Sequence, residues 1–309
     1  MAPRQPFLDR DFYSDPRRRA RSAVVRALSK PARRLGFDLE IRTFYSPIPD
    51  LAFLDDEVFI RRSALPGIEF DVDAQLAFVE RELAAFAAEF RPPRSPTSDR
   101  TEFYLDNGLY QAGDAELLYA FIRRYRPATV LELGAGFSTL VAAGAVRANR
   151  RDGHETRLIS CDPYASREAA ATVDGLSELR PVAAERIAEA EFGALRENDV
   201  LFIDSSHTVR VGGDVVHLLC EAVPRLAPGV LVHVHDIYLP YEYPREWFEQ
   251  LRWYWAEQYL LQALLVGNPE LQVLVGAHAL WRERRDQLAH LIPTVAGSQS
   301  PLSFWMRTS

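Results

Sequence analysis

The feature that most constrains the fold is an alternation of short apolar runs with helical segments after residue 100. Helical patterns are predicted over 114–126, 138–150 and about 211–223. The predicted strands between and around them are 128–134, 156–162, a run near 179–183, 199–204 and 229–236. Continuous Val/Ile/Leu runs that alternate with helices are typical of a parallel sheet buried on both faces. We therefore predict a doubly wound α/β fold.

The first hundred residues do not show this alternation. Apolar residues at helical spacing predict a helix over 73–90, whereas 37–70 is predicted to be irregular. The Pro-, Ser- and Arg-rich stretch 91–100 is the best candidate for a domain boundary. We therefore divide the chain into a mainly helical N-terminal accessory region, 1–100, and an alternating domain, 101–309.

A basic segment near the start of the chain is predicted to form an amphipathic helix. Asp15-Pro16 is a typical helix start, and Pro31 is expected to stop the helix. Residues 1–36 carry a net charge of +7, and the rest of the chain carries −14. Two roles stay open for 16–34: contact with an anionic membrane surface or a partner, or packing on the main domain.

The charge of the whole chain argues against a general nucleic-acid binder. The 309 residues carry a net charge of −7. No apolar run reaches the length of about 18 residues that a membrane-spanning helix needs, and the Arg-rich start lacks the apolar part of a secretion signal. Cys161 and Cys220 are too few for a disulfide framework and are expected to be buried, reduced thiols. We therefore expect a cytoplasmic protein.

The segment 245–266 is crowded with aromatic residues and is predicted to be one long helix. Its large side chains are Trp247, Phe248, Leu251, Tyr254, Trp255, Tyr259 and Leu261. Such crowding favours a packing face or a homodimer contact over a cofactor site. Two further strands are predicted after it, at 271–277 and 301–307.

The most specific local signal is VLELGAGFST at 130–139. A buried strand runs into Gly134, which permits a tight turn, and Gly136, where a ligand can approach the backbone closely. A dinucleotide fingerprint would have a third glycine where this chain has Thr139. Glu132, inside the strand end, would repel a pyrophosphate but suits a cationic ligand. The turn therefore argues against a dinucleotide.

Four motifs, taken in order, resemble those of class I S-adenosylmethionine-dependent methyltransferases: ELGAGFST, CDPY, VLFIDSSH and LVHVHDI. The chain is similar in particular to bacterial small-molecule methyltransferases with YLDNGLY and GDAELLY before the first strand and HDI-x-LP-x-x-YP after the fifth. The resemblance covers about residues 104–309. It implies a Rossmann-like, doubly wound sheet of seven strands, mostly parallel with an antiparallel last strand, and S-adenosylmethionine as the cofactor.

The resemblance also implies roles for single residues. Glu132, Gly134 and Gly136 would hold the methionine end and backbone of the cofactor. Asp162, which ends the second predicted strand, would bind ribose, and residues around Glu185 would flank adenine.

Two neighbouring features are predicted to complete the cofactor site. Ser138 opens the helix that follows the glycine turn. The segment 106–114 combines Asn107, Tyr110 and Asp114 with turn residues, and we predict that it covers the cofactor.

Polar residues follow the fourth and fifth predicted strands, at the edge where ligands bind in an open parallel sheet. Asp204 and His207 lie in DSSH, and His235 and Asp236 lie in HVHD. These four are the candidate catalytic residues. Alternation puts His233 on the same side as His235, and only His235 is expected at the mouth of the site.

Two mechanisms fit these residues. His207 or His235 would act as a general base for a hydroxyl acceptor. Alternatively, Asp204, His235 and Asp236 would bind a divalent cation that orients the acceptor and lowers the pKa of its hydroxyl. Some methyltransferases of sugars and catechols place an acid after the fourth strand and two ligands after the fifth. Since histidine is a poor ligand for Mg²⁺, the sequence also allows a transition metal.

Two outer segments are candidates for the acceptor pocket. Tyr45 and Asp50 belong to FYSPIPD at 44–50, for which an ordinary connection is an equal alternative. The loop after the fifth strand supplies Tyr238, Tyr241 and Glu242.

We interpret the sequence as a bacterial enzyme that methylates a small molecule, most simply on the oxygen of a sugar or natural product. Two alternatives stay open. One is a metal-dependent enzyme of another kind, such as a hydroxylase, on the same fold. The other is a non-catalytic interaction protein that retains the fold.

Overall fold

A seven-stranded sheet forms the centre of the computed structural model, which describes residues 16–40, 45–165 and 173–309. The strands are β1 (Thr129–Leu133), β2 (Arg157–Cys161), β3 (Glu178–Arg180), β4 (Val200–Ile203), β5 (Leu231–Val234), β6 (Leu271–Gly276) and β7 (Phe304–Thr308). They lie in the order β3-β2-β1-β4-β5-β7-β6. The first five pair in parallel, and β7 pairs antiparallel with both β5 and β6. The predicted fold class is confirmed.

Helices cover both faces of this sheet, which explains why the strands are apolar on both sides. Val130 of β1 packs in one core layer, while Leu131 and Leu133 pack in the other. By the same alternation Glu132 faces the layer of Val130, and it has no exposed surface.

The α-helices are Pro16–Arg34, Glu57–Ile60, Val72–Phe78, Ala84–Ala87, Asp114–Tyr125, Phe137–Arg151, Glu189–Phe192, Asp214–His217, Glu257–Leu265, Ala277–Glu283 and Arg285–Leu291. Wider π-type turns span Val79–Leu83, Leu218–Ala222 and Trp247–Leu251, and 3₁₀ turns span Leu51–Phe53, Ala184–Arg186, Val223–Arg225 and Pro293–Gly297. None of the helices in the described ranges is long and apolar enough to cross a membrane.

The prediction of one long helix over 245–266 was wrong. A single turn, Trp247–Leu251, ends at Arg252, whose φ of 58° is left-handed. The chain then runs without helical structure to Ala256, and a helix begins at Glu257. A left-handed residue cannot continue a right-handed helix, so the aromatic side chains do not share one helical face.

Two smaller predictions also need correction. Pro31 does not stop the basic helix, which continues to Arg34, because a proline removes a single backbone hydrogen bond. Cys161 and Cys220 are free thiols, but only Cys161 is buried, since Cys220 lies on the outer side of its turn.

The chain divides into two compact units, residues 1–54 and 55–309. The helical stretch Val72–Ala87 therefore belongs to the unit that contains the sheet. The division into an accessory region, 1–100, and a catalytic domain, 101–309, stays a prediction. Asp15 and Phe44, used in the sequence interpretation, lie outside the described residues.

Candidate active site

The glycine turn at the end of β1 is shaped by a close contact with the end of β4. Gly134 has a left-handed φ of 106°, and a Cβ built on it would lie 1.9 Å from the carbonyl oxygen of Asp204. The Asp204 amide also donates to the Leu133 carbonyl at 2.8 Å. Only glycine fits position 134, and the contact fixes Asp204 beside the turn.

Gly136 shows the opposite environment. A Cβ built on it would meet no atom within 4 Å. The residue precedes the helix Phe137–Arg151, whose first amides point out of the helix end. This open space beside the backbone fits the cofactor that the resemblance implies, because a ligand can lie where a side chain would project.

Glu132 ties β1 to the helix that follows the turn. Its carboxylate accepts hydrogen bonds from Ser138 Oγ at 2.7 Å and Thr139 Oγ1 at 2.6 Å. Thr139 Oγ1 in turn accepts the Gly136 amide at 3.1 Å. Burial raises the pKa of Glu132 to about 7, although hydroxyl hydrogen bonds oppose it. The roles of Glu132 and Ser138 toward a cofactor stay predictions, since both side chains are engaged within the protein.

Asp162 joins the end of β2 to the same turn. One carboxylate oxygen accepts the Ala135 amide at 3.2 Å, and the other accepts the Tyr164 amide at 2.7 Å. The side chain is half-buried, so part of it faces solvent beside the turn. This position suits the predicted contact with ribose, which stays a prediction.

The segment 106–114 is organised by Asn107 and packs on the candidate catalytic residues. The side-chain oxygen of Asn107 accepts the backbone amides of Leu109 and Tyr110. Its side-chain nitrogen donates to the carbonyls of Tyr104 and Tyr110. The buried Tyr110 ring lies 4.9 Å from the His235 ring. The structure thus brings Tyr110 to His235, and the predicted cover over a cofactor is untested.

Asp204, His207, His235 and Asp236, which we call the polar cluster, meet at the carboxyl edge of β4 and β5. His207 Nε2 lies 3.5 Å from Asp204 Oδ1 and 3.4 Å from Asp236 Oδ2. His235 Nδ1 lies 3.7 Å and 3.6 Å from the same two oxygens. Both histidines therefore face one pair of carboxylates. Asp204, His207 and Asp236 each place a possible ligand atom within 4.8 Å of the others.

A third carboxylate lies behind each histidine. His207 Nδ1 is 2.8 Å from Glu257 Oε2, and His235 Nε2 is 3.4 Å from Asp114 Oδ2. Asp114 Oδ1 also accepts the backbone amides of Leu302 and Ser303, the two residues directly before β7. Asp114 therefore connects His235 to the start of that strand. Each imidazole thus lies between the pair Asp204 and Asp236 on one side and a third carboxylate on the other.

The carboxylates around the polar cluster favour the protonated forms of both imidazoles. Burial disfavours the charged form of His207, but the hydrogen bond to Glu257 and the nearby carboxylates outweigh it and raise its pKa to about 9. The pKa of His235 is also well above its ordinary value, since nearby carboxylates outweigh burial. Near neutral pH either ring must lose a proton before it can accept one or bind a cation.

The two carboxylates of the polar cluster differ from each other. Burial raises the pKa of Asp204. Burial also opposes ionisation of Asp236, yet the neighbouring His235 and His207 lower its pKa. The backbones of His207 and Asp236 are left-handed, with φ of 56° and 59°. Such strain is held where the surrounding structure imposes it, commonly at functional sites.

His233 takes no part in the polar cluster. Its ring has no exposed surface and stacks between Phe202 at 4.1 Å and Trp305 at 4.3 Å. Burial lowers its pKa well below the ordinary value. His233 is thus a neutral core residue, as expected from its depth in the strand.

The residues predicted to line an acceptor pocket differ in burial and in their partners. The Tyr238 ring is buried and packs 5.3 Å from Trp247, while Tyr241 donates to Glu283 at 3.2 Å. Glu242 accepts from Tyr259 and Gln258. Tyr45 is exposed and Asp50 caps a short turn through the Ala52 amide. Their roles toward an acceptor stay predictions.

Two residues of the site were not found from the sequence as partners of the histidines. Asp114 was predicted as a helix start and as part of the segment 106–114 that covers the cofactor, but not as a partner of a histidine. Glu257 lies 50 positions from His207 within a segment predicted as a packing helix. Acidic residues are common at the starts of helices, so neither Asp114 nor Glu257 carried a sequence signal that it would pair with a histidine.

Comparison with known proteins identifies the central part of this unit. Residues 131–237 match the family model described as a methyltransferase domain. The resemblance to class I S-adenosylmethionine-dependent methyltransferases is thereby confirmed for the part that contains the glycine turn and the polar cluster. The family match supports S-adenosylmethionine as the cofactor.

A curated relative and two solved structures are similar to parts of the chain. An uncharacterized protein of Archaeoglobus fulgidus is 32% identical over 129 residues, which cover 40% of this chain and 57% of the relative. The structure named "cmcI-N160 SAH" is 16% identical, covers 72% of this chain and 90% of its own, and has a TM-score of 0.39. An O-methyltransferase family 2 protein of Planctomyces limnophilus, in complex with apigenin, is 14% identical, with coverages of 76% and 60% and a TM-score of 0.31. The chain thus spans little more than half the length of the curated relative.

Proposed function

We propose that this chain, whose residues 131–237 match a methyltransferase domain, transfers a methyl group from S-adenosylmethionine to a hydroxyl of a small molecule such as a sugar or natural product. The observation that carries the proposal is the contact between the glycine turn and the polar cluster. The Asp204 carbonyl fills the space beside Gly134, and the Asp204 carboxylate faces His207 and His235. A cofactor on the turn would lie next to imidazoles that can take a proton once they have lost their own.

S-adenosylmethionine supplies a methyl group on a positively charged sulfur that is a good leaving group. With the cofactor bound, the acceptor oxygen would form a bond to the methyl carbon as the sulfur–carbon bond breaks, and the hydroxyl proton would pass to an imidazole of the polar cluster that has first lost its own proton. The protein therefore has to align the oxygen and remove its proton. His207 and His235 are the candidate bases, and Asp204, His235 and Asp236 are candidate ligands of a divalent cation that would make the hydroxyl more acidic.

Calorimetric titration tests the cofactor. The protein is titrated with S-adenosylmethionine and, separately, with NAD, each with and without a chelator. We expect S-adenosylmethionine to bind and NAD not to bind. Binding of NAD alone would point to a dinucleotide enzyme, and binding of neither would favour an interaction protein. Loss of acceptor methylation with the chelator, while S-adenosylmethionine still binds, would support the cation route over the histidine base.

The same proposal covers partners and location. The net charge of −7 supports a small-molecule acceptor rather than nucleic acid, and we propose a cytoplasmic protein. A homodimer through 245–266 and peripheral membrane contact through 16–34 are further proposals. Light scattering of the purified chain tests the first, and binding to anionic vesicles tests the second.

A further inference from the structure

One short segment holds His207 by both its backbone and its ring. The His207 carbonyl accepts the amides of Ala256 at 2.9 Å and Glu257 at 3.1 Å. The Glu257 carboxylate lies 2.8 Å from Nδ1, and the Trp255 ring centroid lies 4.2 Å from that of His207. The orientation of the imidazole is therefore set by residues 255–257, and its Nε2 has to point toward Asp204 and Asp236.

The distances around Nε2 are longer than hydrogen bonds and are compatible with three ligands around one ion. Nε2 lies 3.5 Å from Asp204 and 3.4 Å from Asp236, whereas hydrogen bonds between charged nitrogen and oxygen measure about 2.7–2.9 Å. Two ligand atoms bound to one cation at about 2.1 Å lie about 3.0–3.4 Å apart in octahedral or tetrahedral geometry. His207 itself is buried, with 6% of its surface exposed.

Glu257 has the environment of a residue that orients a ligand. It has no exposed surface, and its Oε1 makes no hydrogen bond within the described part of the chain. A buried carboxylate is costly to keep unless it serves a charged or hydrogen-bonding partner, and the partner here is His207. Histidines that bind metals usually donate their second ring N–H to a carboxylate in this way.

We propose that His207 Nε2 is a ligand of a divalent cation held with Asp204 and Asp236, and that Glu257 is the residue that positions His207 for it. This deepens the proposed function, because it adds a nitrogen ligand that the set Asp204, His235 and Asp236 does not contain. Two carboxylates with imidazole nitrogen suit Mn²⁺, Fe²⁺, Co²⁺ or Zn²⁺ better than Mg²⁺.

Co²⁺ titration of the full chain, stripped with chelator, tests the proposal through visible absorbance and calorimetry. We expect one Co²⁺ per chain in the parent protein. E257Q keeps the shape of the side chain but removes its charge, and it should weaken Co²⁺ binding by about 10- to 100-fold. H207N should shift the Co²⁺ absorption bands, because a ring nitrogen is lost from the ligand set.

E116Q is the matched control. Glu116 is also a buried glutamate, but its hydrogen bonds come from the Gly113 amide and the Thr294 hydroxyl, and no ion pair joins it to a histidine within the described residues. We expect E116Q to bind Co²⁺ as the parent does. Circular dichroism confirms that each variant is folded, and H207N carries the test if E257Q does not fold.

Three results would overturn the proposal: a parent that binds no Co²⁺, an E257Q affinity equal to that of the parent, or an H207N spectrum identical to that of the parent. The same proteins are titrated with S-adenosylmethionine. A parent that binds Co²⁺ but not S-adenosylmethionine overturns the proposed function alone. A parent that binds S-adenosylmethionine but not Co²⁺ overturns only the role of His207 and Glu257.

Discussion

The carbonyl oxygen of Asp204 occupies the place where a side chain at Gly134 would have to lie, 1.9 Å from an ideal Cβ. The ends of β1 and β4 are neighbours in the sheet, and this contact brings them closer than any residue with a Cβ allows. One glycine therefore does two things. It makes the turn, and it sets the position of an acid in the polar cluster.

Replacement of that glycine should damage the fold. In G134A the new methyl group clashes with backbone that cannot move independently of β4, and φ stays left-handed. Backbone strain and overpacking together predict a loss of about 2–5 kcal/mol in the free energy of unfolding. Urea denaturation of parent and variant measures it. A variant as stable as the parent would show that the two strand ends separate easily.

G136A is the matched variant two residues on. Since nothing lies within 4 Å of the new Cβ, the free energy of unfolding should change by less than about 1 kcal/mol. The methyl group would enter the space assigned to the cofactor, so we expect affinity for S-adenosylmethionine to fall by at least about tenfold. Calorimetry measures the affinity. Unchanged affinity would place the cofactor elsewhere.

Asp162 provides a separate test of the cofactor site. D162A removes a carboxylate that would accept from ribose hydroxyls, and affinity for S-adenosylmethionine should fall about 10- to 100-fold. The side chain also accepts the Ala135 and Tyr164 amides. Thermal unfolding must therefore be compared in the same variant. A folded D162A with parental affinity would remove the ribose role.

The buried Glu132 predicts a pH dependence of stability. Its pKa is about 7 in the folded protein and near 4.5 when exposed, because burial disfavours the carboxylate. Protonated Glu132 therefore contributes to the free energy of unfolding in full below about pH 4.5, and this contribution is lost as the pH rises through about 7. The loss amounts to roughly 3 kcal/mol.

E132Q should lack this dependence, since an amide does not ionise and can still pair with the hydroxyls of Ser138 and Thr139. Urea denaturation of both proteins at pH 5, 6, 7 and 8 gives the comparison. We expect the parent to lose stability relative to E132Q as the pH rises. Parallel profiles would mean that Glu132 does not titrate in this range.

The helix Pro16–Arg34 predicts binding to anionic vesicles. It carries eight basic residues and no acid, and Val24 and Leu28 are 56% and 52% exposed. Co-sedimentation with phosphatidylcholine vesicles containing phosphatidylserine should show binding that weakens with salt. The triple variant R21Q/R26Q/K30Q should bind more weakly, with a loss of about 1 kcal/mol of binding free energy for each charge removed. Pure phosphatidylcholine is the control, and equal binding to both vesicle types would rule out an electrostatic role.

Local patterns predicted most of the fold. The strand prediction 128–134 corresponds to β1, and the helix prediction 114–126 corresponds to Asp114–Tyr125. The strand prediction 229–236 likewise corresponds to Leu231–Val234, and the prediction 301–307 corresponds to Phe304–Thr308. These elements follow from the spacing of apolar residues, which depends on near neighbours in the chain. The prediction over 245–266 was wrong because Arg252 takes a left-handed backbone that its sequence neighbours do not require.

The sequence by itself determined the α/β class, the glycine turn and the acidic and histidine residues at two strand ends, because each depends on a continuous stretch of chain. Only the tertiary structure decided that His207 joins Asp204 and Asp236, and that Glu257 stands behind it. It also decided that Glu132 is satisfied by hydroxyls of its own turn. Hydrogen bonds and ion pairs between distant segments are set by how helices pack on the sheet, and that packing brings together residues 50 positions apart.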